Sequence, residues 1–298
     1  MTQPNLHAAA IVFHVDSLNE AYGFPRDYDD PTYTIVIDRF LALAKKFGFK
    51  ATFFVIGRDL LIEKNRARVL QLANQGHEIA NHSYHHHLNF GFLAKKEMLS
   101  EMYKTDALIK EITGHSAVGF AAPNWSSSSA SLQAVKEAGY KYDASLFPSW
   151  LRYPAAIKTF FHCLQARNGR CLSLLQQKHL GYALVGNRRA RQVNGLTCMP
   201  VPTNQWRLAC WHTLVFMFGQ RLHEMILRSC LKDNPHFYYV IHPADLLDMQ
   251  DLNLQKTTHL ARLQRPLKEK IALLERSLEI IASRRKFVTL ATLAKQVM

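Results

Sequence analysis

Apolar positions along the first half of the chain follow two alternating periods. Ile37, Phe40, Leu41 and Ala44 recur at helical spacing and stop near Gly48; the short continuous run Ala51–Ile56 that follows reads as a buried strand. The order then repeats. Val69, Leu70 and Ala73 end at Gly76 before Glu78–Ala80, and Met98, Met102, Leu108 and Ile109 end at Gly114 before Ala117–Ala121. A helix from about Ser131 to Ala138 ends at Gly139 before Tyr140–Asp143. Glycine at each helix end suits the left-handed backbone found there. Ala10–Val15, Leu196–Met199, Phe237–Ile241 and Lys286–Leu290 are further predicted strands, with a helix over Leu267–Ala282 before the last. Strands and helices joined by short links predict a parallel sheet covered by helices. The number of strands favours a distorted (β/α) barrel over an open three-layer sheet.

Residues 150–194 break the rhythm. They are rich in Arg, Gln and Gly, with weak helical patterning around Phe160–Leu175, and read as a basic insertion in one domain spanning residues 1–298. Charge sharpens this. The formal net charge is +14, yet Ala144–His223 holds no Asp or Glu and ten basic residues, from Arg152 to Arg221. So long an acid-free stretch predicts an anionic partner. With 48% hydrophobic and 20% charged residues, disorder is excluded. No helix-turn-helix, RNA-recognition motif or aromatic stacking row accompanies the charge, so nucleic acid is not expected as a partner. Met1–His7 is polar and lacks the basic start and cleavage site of an export signal, and Leu208–Phe218 is too short to span a bilayer. Cys163, Cys171, Cys198, Cys210 and Cys230 form no CxxC pair. Free thiols in a cytoplasmic protein are the expectation.

Candidate chemistry collects at strand ends, where a barrel places its active site. His14 and Asp16 are two apart on a strand and face the same way. His82 and His86, four apart after Glu78–Ala80, are expected on one side of a helical turn, gripping one ion. Ala121–Trp125 and Ile241–Asp245 end two further strands. One carboxylate with two imidazoles suits zinc or another borderline divalent ion, with positions left for water and substrate. Against these stand blander roles. His77 is expected in the core, His85 and His87 at the surface or behind the ligands, Asp245 as a helix N-cap, and Trp125 as a pocket wall.

The motif order makes a resemblance specific. Phe13-His14-Val15-Asp16, ATFFVIG at Ala51–Gly57, GHEIANHSYHH at Gly76–His86, the run Gly119–Ser126 and IHPAD at Ile241–Asp245 resemble the polysaccharide deacetylase (NodB-like) family across most of the chain. The resemblance implies a NodB-type barrel with a metal triad of Asp16, His82 and His86. It further implies His242 as general acid, the Asn124 backbone amide as oxyanion donor, and Asp143 as support for the acid histidine. Two departures stand out: the family has an aspartate base where this chain has His14, and an arginine paired with that base where it has Ala121. A carboxylate base is held ionised by a guanidinium, whereas an imidazole needs none, so the two changes are linked. His14 retains three readings: base, fourth metal ligand, or remnant in a chain that has lost activity.

The function so implied is removal of an acetyl or formyl group from the nitrogen of an amino sugar. The alternative is a non-catalytic metal-containing module that binds glycans or glycolipids. The basic insertion suits a phosphate- or lipid-linked sugar at the inner face of an anionic membrane, as in the similar branch that deformylates lipid-linked aminoarabinose.

Overall fold

The computed structural model describes residues 7–25, 27–153, 157, 180–252 and 261–297. The helical patterning expected around Phe160–Leu175, and Cys163 and Cys171, lie outside them. The strands are β1 (Ala8–Val15), β2 (Thr52–Val55), β3 (Glu78–Asn81), β4 (Gly119–Phe120), β5 (Tyr142–Asp143), β6 (Arg191–Val193), β7 (Leu196–Cys198), β8 (Phe237–Ile241) and β9 (Lys286–Val288). They form one curled sheet in the order β6-β7-β5-β4-β3-β2-β1-β8, with β9 also on β1. Every pairing is parallel except the β6–β7 hairpin. Ala9 and Ala10 pair with both β8 and β9, so those strands flank β1 on opposite edges.

Period-two alternation divides β1 between two cores. Ala9, Ile11, Phe13 and Val15 pack outward among Phe40, Leu43, Leu274 and Leu278 of the covering helices Ile35–Phe47 and Leu267–Ala282. Ala10 and Val12 face inward on Phe54, Ala80, Tyr142, Tyr238 and Val240. His14 and Asp16 continue the inward series and emerge where the strands end. Close packing inside the curl dictates Gly119, because a Cβ there would lie 1.9 Å from the Tyr142 ring. The amino-terminal opening is plugged by the helix Leu290–Ala294. Its first amides donate to Thr52 Oγ1 (2.8 Å) and Glu78 Oε2 (2.9 Å), and Glu78 also accepts from Thr52 Oγ1 (2.6 Å) and the Tyr142 hydroxyl (2.7 Å).

The helix ends follow the glycines: Gly48 and Gly114 cap their helices at φ 67° and 80°. Three expectations change. β4 and β5 are shorter than Ala117–Ala121 and Tyr140–Asp143, and Leu290 starts a helix instead of ending a strand. The end of the expected insertion forms β6, turned back onto β7 by Asn194 and Gly195 at φ 51° and 82°. Arg152, Arg188 and Arg207 donate to the carbonyls of Trp125, Asn204 and Pro148 at 3.0, 2.6 and 3.3 Å, so part of the basic stretch braces the fold. Among the described residues no helix is long and apolar enough to cross a membrane. Cys198, Cys210 and Cys230 are free and buried.

Candidate metal centre

The carboxyl ends of β1, β3, β4 and β8 deliver His14 and Asp16, His82, Ala121 and His242 to one pocket. Asp16 Oδ1 lies 3.2 Å from His82 Nε2 and 3.5 Å from His86 Nε2, and Asp16 Oδ2 lies 3.9 Å from His242 Nε2. The three expected ligands therefore converge, but not on a helical turn. Residues 82–87 are irregular, and Ser83 and His86 take left-handed φ of 65° and 53°. Strained backbone of this kind persists only where its surroundings hold it. Asn81 Oδ1 accepts from Ser83 N (2.8 Å), while Glu101 Oε2, from the helix Lys95–Thr113, accepts from Tyr84 N (3.0 Å) and His85 N (2.8 Å).

Donor chemistry fits a cation. His82 Nδ1 lies 2.6 Å from the Ala121 carbonyl, which only accepts, so Nδ1 carries the proton and Nε2 presents a lone pair. That lone pair meets a carboxylate oxygen, and both His82 Nε2 and Asp16 Oδ1 are buried without a hydrogen-bond partner among the described residues. Two acceptors 3.2 Å apart and shut from water repel unless a proton or a metal ion lies between them. An imidazole oriented through its second nitrogen onto a carbonyl is the usual arrangement of a metal-ligating histidine. Burial works to raise the Asp16 carboxyl, but the adjacent His82 and His86 outweigh it and hold it well below the ordinary range.

His14 is 4% exposed, its ring 4.6 Å from His82, 5.3 Å from His242 and 5.8 Å from Trp125. Burial, then the neighbouring His82 and His242, push its pKa well below 6.5. His242 is lowered by burial too, against the opposing pull of Asp16 and Asp245. Donor atoms of His14, Asp16 and His242 also lie within 4.8 Å of one another.

Asp245 is not an N-cap. It is the third residue of the turn after His242, and its Oδ2 accepts from His242 N (2.9 Å) and lies 3.9 Å from His242 Nδ1. It is fully buried and paired with Arg262 at 3.0 Å, which in turn donates to the Tyr22 hydroxyl. The structure thus sets the Asp245 carboxylate beside His242. Asp143 instead accepts from Ser145 N (3.0 Å) and Ser145 Oγ (2.7 Å), and that hydroxyl accepts from Ala122 N (2.7 Å). Asp143 thus braces the loop after β4. In that loop Asn124 and Trp125 take φ of 53° and 48°. The Trp125 ring walls the pocket, 6.0 Å from His242 and packed on Phe147 and Trp211. His77 is a core residue, accepting from Ala51 N through Nδ1 (3.0 Å). The Asp245–Arg262 pair and Glu101 were not anticipated, since no motif spacing joins them to the ligands.

Residues 27–142 match the family model described as polysaccharide deacetylase; that stretch includes His82, His86 and Asn124 but neither Asp16 nor His242. A peptidoglycan deacetylase of Helicobacter pylori is 34% identical over 110 residues, covering 37% of this chain and 36% of that protein. The match thus spans about a third of the curated relative's length. Among solved structures, a Mycobacterium smegmatis protein assigned to the polysaccharide deacetylases superposes over 100% of this chain and 92% of its own, with TM-score 0.60 and 17% identity. The wild-type CE4 family pseudoenzyme of Bacillus anthracis covers 98% of this chain and 66% of its own, with TM-score 0.50 and 15% identity. At such identities the structures establish the distorted (β/α) barrel and nothing of its chemistry.

Proposed function

We propose that the chain is a member of the NodB-like polysaccharide deacetylase family and a metal-dependent hydrolase removing an N-acyl group, acetyl or formyl, from an amino sugar. One observation carries this reading: a buried carboxylate oxygen and a buried imidazole nitrogen, both acceptors, face each other with a second imidazole alongside. Asp16, His82 and His86 would hold the ion. When bound, zinc or a similar ion supplies a Lewis acid for the amide carbonyl and lowers the pKa of water.

The remaining work falls to the chain's own residues. His14, kept neutral by burial, has a lone pair to take the proton of the attacking water. His242 protonates the leaving amine, and the carboxylates of Asp16 and Asp245, each 3.9 Å away, stabilise its imidazolium. The Asn124 amide donates to the oxyanion. Trp125, Phe147 and Trp211 exclude water from the pocket side. We further place the protein in the cytoplasm, acting on a phosphate- or lipid-linked sugar at the anionic membrane face, on the strength of its acid-free stretch. A glycan like that of the peptidoglycan deacetylase is the competing substrate.

Amine release from N-acetyl and N-formyl amino sugars by zinc-loaded protein tests the proposal. We expect release by the wild type and none by Asp16→Asn, with zinc affinity of the variant down at least about 100-fold. A specific observation favours a second reading, a non-catalytic glycan-binding module: the His14 donor lies within 4.8 Å of donors of Asp16 and His242, and as a fourth ligand it would close the coordination sphere. His14→Ala separates them. A base predicts a rate about 100-fold lower at unchanged zinc affinity; a ligand predicts weakened zinc binding in a protein that releases no amine.

A further inference from the structure

The turn bearing His82 and His86 presents a second group of donors on its outer side. Glu101 is 6% exposed, and its Oε2 is committed to the amides of Tyr84 and His85. Its Oε1 turns outward, 2.6 Å from His85 Nδ1 and 3.8 Å from His87 Nε2. Both imidazoles reach solvent, their side chains 37% and 44% exposed. One donor atom from each of the three residues lies within 4.8 Å of the others. Zinc bonds of about 2.0–2.2 Å in tetrahedral geometry space neighbouring donors by roughly 3.3 Å. That value falls between the two separations observed. Oε2 alone holds the turn amides, which leaves Oε1 to the two imidazoles.

We propose that His85, His87 and Glu101 form a second divalent-ion site, for zinc or another borderline transition ion, with its open positions facing water. The ion takes the place of the His85 Nδ1 proton, and the neutral imidazole, by exchange with solvent, carries its proton on Nε2. This site shares a turn with the Asp16 group but no donor, so the two can be scored separately.

Equilibrium dialysis of the full, untagged chain against zinc, with bound metal measured by atomic absorption, tests the proposal. Two ions per chain are expected for the wild type, and one each for His85→Ala, His87→Ala and Asp16→Asn. Loss of an ion in His87→Ala but not in Asp16→Asn upholds this site and removes the other. The proposal is overturned if the wild type binds a single ion that His85→Ala and His87→Ala leave in place, or if those two variants still bind two. Because both side chains are partly exposed, truncating them leaves the fold intact, and the Glu101 contacts to the turn amides remain.

Discussion

His14 and Ala121 meet at the pocket through His82, whose ring lies 4.6 Å from that of His14 and whose Nδ1 donates to the Ala121 carbonyl. Ala121 is fully buried in the inner core. A guanidinium placed there alone has no carboxylate partner of its own, and an unpaired buried charge costs about 3–5 kcal/mol. We therefore expect Ala121→Arg to lower stability by about that amount, and His14→Asp to crowd a second carboxylate against Asp16. Combining the two supplies each with its partner. The double variant should unfold at higher urea concentration than Ala121→Arg and release amine faster than either single change. Additive effects on both measurements would break the link between positions 14 and 121. At this scale the grouping of Asp16, His82 and His86 was legible, because type and spacing in the chain carry it. The Asp245–Arg262 contact was not: it joins residues from separate segments, and no local pattern encodes such a meeting.

Elements were read best where one period runs uninterrupted. The helix Leu267–Ala282 has the bounds its apolar spacing predicted. The helix Gln220–Asp233 escaped notice because its buried face includes His223 and Cys230 among Ile226, Leu227 and Leu231, and no side chain caps its start. The turn at residues 82–87 was misread as helical because two histidines four apart fit a helix, whereas left-handed φ at Ser83 and His86 brings them together instead. The loop after β4 offers a pH test of its own anchor. Burial raises the Asp143 carboxyl to about 6, partly offset by its hydrogen bonds from Ser145. An unfolded aspartate titrates near ~3.9. Between about pH 4 and 6 the folded chain thus holds a proton that the unfolded chain has released, and stability contributed by that proton falls as pH rises. The shift of about two units corresponds to roughly 3 kcal/mol. Asp143→Asn removes the effect. Wild-type stability minus variant stability should fall by about that amount from pH 4 to 6 and stay level above it. Urea denaturation at a series of pH values checks this, and a flat difference would mean that Asp143 is ionised in the fold throughout.

Across the whole molecule, stability and chemistry occupy opposite ends of the curled sheet. The parallel strands all run toward one mouth, where Asp16, His82 and His242 lie, and leave the other end to be sealed; β6 alone among the described strands runs the other way. Glu78 is the knot of that seal, accepting from Thr52, Tyr142 and the first turn of the helix Leu290–Ala294. Glu78→Ala strands three donors in a mostly buried place, each costing about 1–3 kcal/mol when unsatisfied, with water recovering part. A loss of about 3 kcal/mol in urea denaturation is the expected outcome. His82 lies four positions along the extended strand from Glu78, about 13 Å away. The inner core between them is built of apolar side chains such as Phe54, Ala80, Tyr142 and Val240. Zinc affinity of the folded Glu78→Ala protein should therefore stay within about twofold of wild type, in keeping with barrels whose chemistry is confined to one face. If zinc affinity instead falls in step with stability, the two ends are coupled. The mouth would then depend on the plug for its shape, and the division of labour along the strands would be wrong.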